Sequence, residues 1–361
     1  MTPTPAASPV PPPERAARYR VTQTTSATRV TAVFGIVGFL ILVSLPAWGD
    51  SGTLRLLAEV FTLLALAEMW NLLAGYAGLV SIGQQAYIGL GAYGLYTLAD
   101  LVGLHPVLAM ILTAAIVTGI ALVTSFFVFR LDGGYFAIGT WVVAEVFRLL
   151  IVSQKQLGAG TGVSIQSLAQ FGQGRLAITY WLALGVGFGA VLLCALIMRS
   201  RLGLSLRAVR DSDTAARSLG INVFRAKILV YLAAAAGCSM AGSVAYMNLL
   251  RIQPNAAFGI QWTAWMIFIV IIGGLGRIEG PIIGTVVFIG LRQVLQDYGS
   301  AYLIALGVIA IAVTLTAPRG LWGVIEGRWA LQLFGIHRRL VVETPAAEAA
   351  VSGSTPGEGR P

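Results

Sequence analysis

The sequence predicts an all-α, polytopic transmembrane bundle of about ten spans, and three observations carry that expectation. Hydrophobic residues make up 57% of the 361-residue chain and charged residues only 11%, against roughly a quarter charged in a soluble domain. Apolar runs of about 20 residues, the length that crosses a bilayer as a helix, recur along most of the chain. Between two of them lies Arg199–Lys227, where seven Arg or Lys stand against two Asp. Loops so rich in cations are retained on the cytoplasmic side during insertion. The net charge of +9 is thereby explained by topology, and binding to nucleic acid is not expected.

Residues 1–29, rich in Pro and Ala with scattered Arg, are expected to form a disordered cytoplasmic tail. No cleavable signal is expected, because the first apolar run opens near Val30 without a small-residue cleavage site behind it. The membrane domain is expected over 30–323. Its spans are predicted near Val30–Trp48, Leu54–Leu73, Gln84–Leu101, Val107–Phe129, Tyr135–Val152 and Ala177–Met198. After the cytoplasmic loop 199–227 they resume near Ala226–Leu250, Gln261–Leu275, Pro281–Leu295 and Ala301–Ala317. An even number of crossings with both termini cytoplasmic also places Arg130, Arg277 and the Arg319–Arg339 stretch inside, so charge and parity agree. Residues 324–361 are expected to be a second, largely disordered cytoplasmic tail. Gly78–Gly94 and Ile271–Gly284 are punctuated by glycine, which predicts some short or re-entrant segments.

Within the basic loop, Leu206, Val209, Ala216 and Leu219 recur at helical spacing, with Arg207, Arg210, Asp213 and Arg217 between them. That pattern predicts a short amphipathic helix presenting an apolar face to a partner. Gly276, Gly280 and Gly284 recur every four residues, a helix-contact signal in lipid; the alternative is a broken segment lining a solute route. Glu145 and Arg148 stand one turn apart and are expected to neutralise one another, ahead of any substrate contact. Glu68, followed by Asn71, has no local counter-charge and needs a proton or a hydrogen bond from another helix. Cys194 and Cys238 lie in apolar runs and are read as small buried residues. His105 and His337 are isolated, so no metal site is expected. Lys155 and Lys227 follow no glycine-rich phosphate loop, and no nucleophile and base cluster together, so neither a cofactor nor a catalytic residue is assigned.

Four stretches taken together resemble the LivM-type permease of branched-chain amino-acid ABC importers. They are GYAGLVSIGQQAYIGLGAYG from Gly75, LDGGYFAIGTWVVAEVFRLL from Leu131, SRLGLSLRAVRDSDTAARSLGINVFRAK from Ser200, and IIGGLGRIEGPIIGTVV from Ile271 followed by TAPRGLWG ending at Gly323. The resemblance covers roughly Leu54 to Gly323. It implies a bacterial inner-membrane transport subunit, not an enzyme, paired with a homologous second permease, two ATP-binding-cassette ATPases and a periplasmic solute-binding protein. Asp213, Ala215, Ala216 and Gly220 match the family's Glu-Ala-Ala-Gly-like coupling segment. Small side chains there let a helix sit in an ATPase groove, while Arg207 and Arg210 supply charge-assisted contacts at the rim. Along the glycine-broken segments, Gly83, Gln84, Tyr87, Thr140, Glu145 and Thr161 are expected on the substrate pathway. Gln84 stands where the family commonly has histidine, Arg277 where it has serine, and Gly158–Gly162 matches its Thr-Gly-Gly segment loosely. These departures bear on the cargo: branched-chain amino acids come first, with urea or short amides as the alternative. An ion-coupled secondary transporter using Glu68 or Glu145 is the rival class, and the basic loop argues against it.

Overall fold

The computed structural model describes residues 18–22, 35, 37–295, 301–329 and 339–343, and there the chain is an all-α bundle with four short strands. Helix α1 (Val37–Ala47) leads to α2 (Ser51–Asn71). Asp50 fixes the start of α2 by accepting the backbone N–H groups of Gly52 and Thr53 at 2.8 and 3.0 Å, two donors that the first turn leaves open. Every residue from 61 to 77 is buried, the expected fate of a helix that is apolar on all sides. Around α2 stand α6 (Arg175–Arg199), α9 (Val223–Leu249), α11 (Gln261–Gly273) and α12 (Glu279–Leu295). Beyond Asn71 the helix continues as a π turn, Leu72–Tyr76.

Helix α3 (Gln85–Tyr96, with a π turn to Leu101) lies between α9 and α4 (Pro106–Val128). Helix α5 (Gly134–Ser153) rests on α3 through a narrow stripe in which only Phe136, Thr140 and Ala144 are buried. Glycine permits the close helix contacts. A Cβ on Gly91 of α3 would stand 2.2 Å from the Ser239 carbonyl oxygen of α9, and one on Gly284 of α12 would stand 2.0 Å from that of Ile269 in α11. The four-residue glycine spacing thus marks helix packing, where small residues let backbones meet.

At one end, strands β2 (Val163–Ser164) and β3 (Arg251–Ile252) tie the loop after α5 to the turn after α9. Asp100 fastens α3 to the same loop, accepting Gln166 N–H at 2.6 Å and Ser167 N–H at 2.9 Å. The opposite end carries α7 (Arg201–Asp211), α8 (Asp213–Ser218) and α14 (Gly320–Trp329), while α10 (Pro254–Ala257) and α13 (Ala301–Thr316) complete the helices. Strands β1 (Arg18–Thr22) and β4 (Arg339–Glu343) pair antiparallel; the remainder of residues 1–29, and of 324–361 beyond α14, lies outside the described residues.

Among the described residues seven helices are long and apolar enough to cross a membrane, and the chain is a multi-pass helical bundle. The expected ten is not reached by that measure. The segments expected near Gln84–Leu101 and Pro281–Leu295 are present at close to their expected bounds, as α3 with its π turn to Leu101 and as the 17-residue Glu279–Leu295, each just under the length that measure asks for. The described part of the segment expected near Val30–Trp48 is the helix Val37–Ala47. Glycine-rich turns lead into α3 and α12, with Gly78, Gly274 and Gly276 at positive φ.

Candidate functional site

The basic segment is two helices where the sequence pattern predicted one. Ser212 makes the break: it is extended, and its Oγ accepts the Ala215 N–H at 3.3 Å to cap α8, as Ser200 caps α7. The apolar face also turns inward rather than toward a partner. Leu206, Val209 and Ala216 are buried in the chain itself, and Ala216 packs with Val209 and Val223 in a small satellite core. Its small size therefore serves internal packing, contrary to the expectation of an outward docking contact. Leu219 is 76% exposed, beside exposed Ala215 and Gly220, and Gly220 ends the turn at φ +79°. Asp213 pairs with Lys227 at 2.5 Å, Arg210 is exposed and Arg207 half-buried. A cavity of about 450 Å³ opens beside α8, lined by Val80, Phe129, Asp132, Arg217, Phe224 and Lys227 among others.

Behind α7, one buried asparagine holds three elements together. Asn71 Nδ2 donates to the Arg277 carbonyl at 2.9 Å, and its Oδ1 accepts the Gly276 N–H at 2.8 Å, so α2 clamps the α11–α12 turn. Arg210 reaches the same turn: a Cβ on Gly276 would fall 2.7 Å from a guanidinium nitrogen of Arg210 and 3.0 Å from the Gly75 carbonyl oxygen. Arg277 extends the junction to α14 through a 2.8 Å ion pair with Glu326. In the sequence this role of Asn71 has a single signal, a lone amide in an apolar run.

Gly83, Gln84, Tyr87 and Thr140 come together, and all four are buried. The Ile82 N–H donates to Thr140 Oγ1 at 3.2 Å, and a Cβ on Gly83 would stand 2.1 Å from the Thr140 carbonyl oxygen. Gln84 lies 3.4 Å from Ser81 Oγ, and Cys238 Sγ donates to its Oε1 at 3.4 Å. Tyr87 donates to the Tyr231 hydroxyl at 2.6 Å and stands 3.0 Å from Thr124 Oγ1. Gln85, not singled out from sequence, accepts from Thr263 across α3 and α11. Thr161 stands apart, exposed in the Gly158–Gly162 turn with its hydroxyl donating to the Gly158 carbonyl at 2.7 Å.

Glu145 and Arg148 form the ion pair that their spacing predicts. Arg148 Nε lies 2.9 Å from each carboxylate oxygen, a terminal nitrogen bonds Oε1 as well, and the other donates to Asn255 Oδ1 at 2.7 Å. The Glu145 side chain stays 46% exposed and that of Arg148 24%. Glu68 is wholly buried beside Cys194 and Asn71, and neither carboxylate oxygen has a hydrogen-bond partner among the described residues. Both cysteines are buried and free.

Comparison with known proteins places this architecture. A family model described as the permease component of branched-chain amino acid transport systems matches residues 52–317. The high-affinity branched-chain amino acid transport system permease protein LivM of Escherichia coli is 23% identical over 314 residues, covering 79% of this chain and 74% of that protein. A probable branched-chain amino acid transport permease protein LivM of Methanocaldococcus jannaschii is 22% identical over 274 residues, 66% of this chain and 79% of the relative. Over a shorter stretch of 133 residues, 35% of this chain and 41% of the relative, the ribose import permease protein RbsC of Escherichia coli is 32% identical.

Proposed function

This chain belongs to the branched-chain amino acid transport permease family as a LivM-type member, and we propose that it is the membrane-embedded subunit of an ATP-driven importer of branched-chain amino acids. Its partners are a second, homologous permease, two ATPase subunits and a periplasmic solute-binding protein, and its place is the bacterial inner membrane with both termini in the cytoplasm. ATP hydrolysis occurs in the separate subunits.

The observation that carries the reading is the elbow of α7 and α8. Its outer turn offers Ala215, Leu219 and Gly220 to a docking subunit, while Arg210 on its other side touches the turn joining α11 to α12. A movement imposed at the outer turn therefore passes to α11, α12 and, through Asn71, to the central α2. ATP shifts the transporter between inward- and outward-open states through its differential affinity for them, and the helices supply the stiff linkage. Gly83, Gln84, Tyr87 and Thr140 lie at the junction of α3 with α5 and α9, where such a shift would open a polar seam.

Reconstitution tests this. Liposomes carrying the full assembly should accumulate radiolabelled leucine only with ATP inside and binding protein outside, and liposomes carrying this chain alone should not. Robust accumulation by the chain alone, driven by a proton gradient, would establish an ion-coupled carrier instead. Uptake of urea or short amides in place of leucine would keep the importer and replace its cargo.

A further inference from the structure

Helix α5 is covered by the rest of the chain along one stripe only. On its open side Ile138, Trp141, Val142 and Leu149 are between 47% and 57% exposed, at positions −7, −4, −3 and +4 from Glu145, so they share its helical face. Glu145 thus stands at the centre of an apolar, open face, about 12 Å along the axis from the end of the helix at Ser153. A carboxylate exposed to hydrocarbon is costly, and charges at membrane depth face a bundle interior or a water-filled cavity. The pair is also aimed. Arg148 is gripped from two sides, by the Glu145 carboxylate and by Asn255 of α10, while nearly half of the Glu145 side chain remains open.

We propose that Glu145, Arg148 and Asn255 form a station on the transport route that binds the charged end of a zwitterionic amino acid. This rests on the importer reading above and deepens it. The guanidinium takes the solute carboxylate, whose two oxygens match its planar fork, and the Glu145 carboxylate takes the ammonium group. Trp141, Ile138 and Val142 then lie beside the solute side chain, a surface suited to a branched hydrocarbon. Net charge is zero whether the station is empty, with Glu145 and Arg148 paired to each other, or full, with each paired to the solute. The empty station is therefore never an unpaired charge, and the solute gains only the difference between two sets of ion pairs, which favours release over trapping. A neutral amide lacks both charges and is left with no comparable exchange.

The test uses the full importer in liposomes with radiolabelled leucine. The double variant Glu145→Gln with Arg148→Gln removes both charges together and leaves no orphaned ion, while loss of a purely structural tie to Asn255 would show in the subunit composition and ATP hydrolysis. Binding-protein-stimulated ATP hydrolysis and subunit composition should stay at wild-type level, while leucine accumulation falls about tenfold or more, the effect of about 1.4 kcal/mol of lost recognition. Accumulation within about twofold of wild type, below half a kcal/mol, would overturn the station and leave the pair a structural tie. Trp141→Ala gives a second reading that leaves the ion pair intact: leucine uptake should slow more than alanine uptake, and equal slowing of both, or none, counts against the proposal even if the double variant assembles poorly. If the wild-type importer carries an uncharged amide and no amino acid, the cargo reading fails and the station with it. If it carries leucine and both variants behave as wild type, the station fails alone.

Discussion

Replacing Asn71 by alanine removes both arms of the clamp that α2 places on the α11–α12 turn. Asn71 is fully buried, and the groups it serves, the Gly276 N–H and the Arg277 carbonyl, are partly buried. An orphaned buried donor or acceptor costs about 1–3 kcal/mol, and partial access of water to this turn lowers that, so the pair together is worth about 2–3 kcal/mol. At roughly 2 °C per kcal/mol for a chain of this size, the thermal midpoint of the solubilised complex should fall by about 4–6 °C. Coupling should suffer more than folding, because the loosened turn is the one that Arg210 touches. The assay pairs the melting midpoint with the ratio of leucine transported to ATP hydrolysed, and that ratio should drop in Asn71→Ala while ATP hydrolysis continues. Asn71→Asp retains an acceptor for Gly276 but loses the donor to Arg277 and sets a second carboxylate three residues from Glu68, so it should be worse than alanine. A midpoint within about 1 °C of wild type together with an unchanged transport ratio would refute the clamp.

Ala216→Leu should overpack the contact with Val209 and Val223, costing about 1–3 kcal/mol and lowering the thermal midpoint, whereas Leu219→Ser on the exposed turn should leave the midpoint alone and weaken ATPase copurification. The Thr53 hydroxyl, followed by the backbone N–H of Thr53, holds the Asp50 carboxyl below its usual value. A group with a lowered folded pKa contributes fully above its unfolded value and loses the contribution as pH falls through the folded one; the stability difference between wild type and Asp50→Asn should therefore change below pH 4 and stay flat above about pH 5. A cysteine placed at Ser212 should react with a membrane-impermeant maleimide only after the cells are opened, and labelling of intact cells would reverse the proposed orientation.

Composition and run length by themselves determined that this chain is an all-α membrane bundle, because a bilayer leaves backbone groups no partner outside their own segment and so gives an apolar run of 20 residues essentially one structure. The Glu145–Arg148 pair was legible for a similar local reason, since residues one turn apart on a helix meet whatever surrounds them. The four glycine-rich and basic stretches were enough to point to the family. Tertiary structure decided the rest. The periodicity of Leu206, Val209 and Ala216 showed that the loop had an apolar face but not where it would turn, and the nearest apolar surface proved to be the chain's own, the main core for Leu206 and the satellite core for Val209 and Ala216. Nothing local announced that Ser212 would divide the loop into two helices, because a serine is tolerated within a helix as well as at its cap. Gly274 and Gly276, neutral in a hydropathy window, take positive φ and close α11 at Gly273, two residues before its expected end. The Asn71 clamp joins residues 205 positions apart. A sequence pattern records the preferences of neighbours along the chain, whereas a contact of that separation exists only once the helices between have packed.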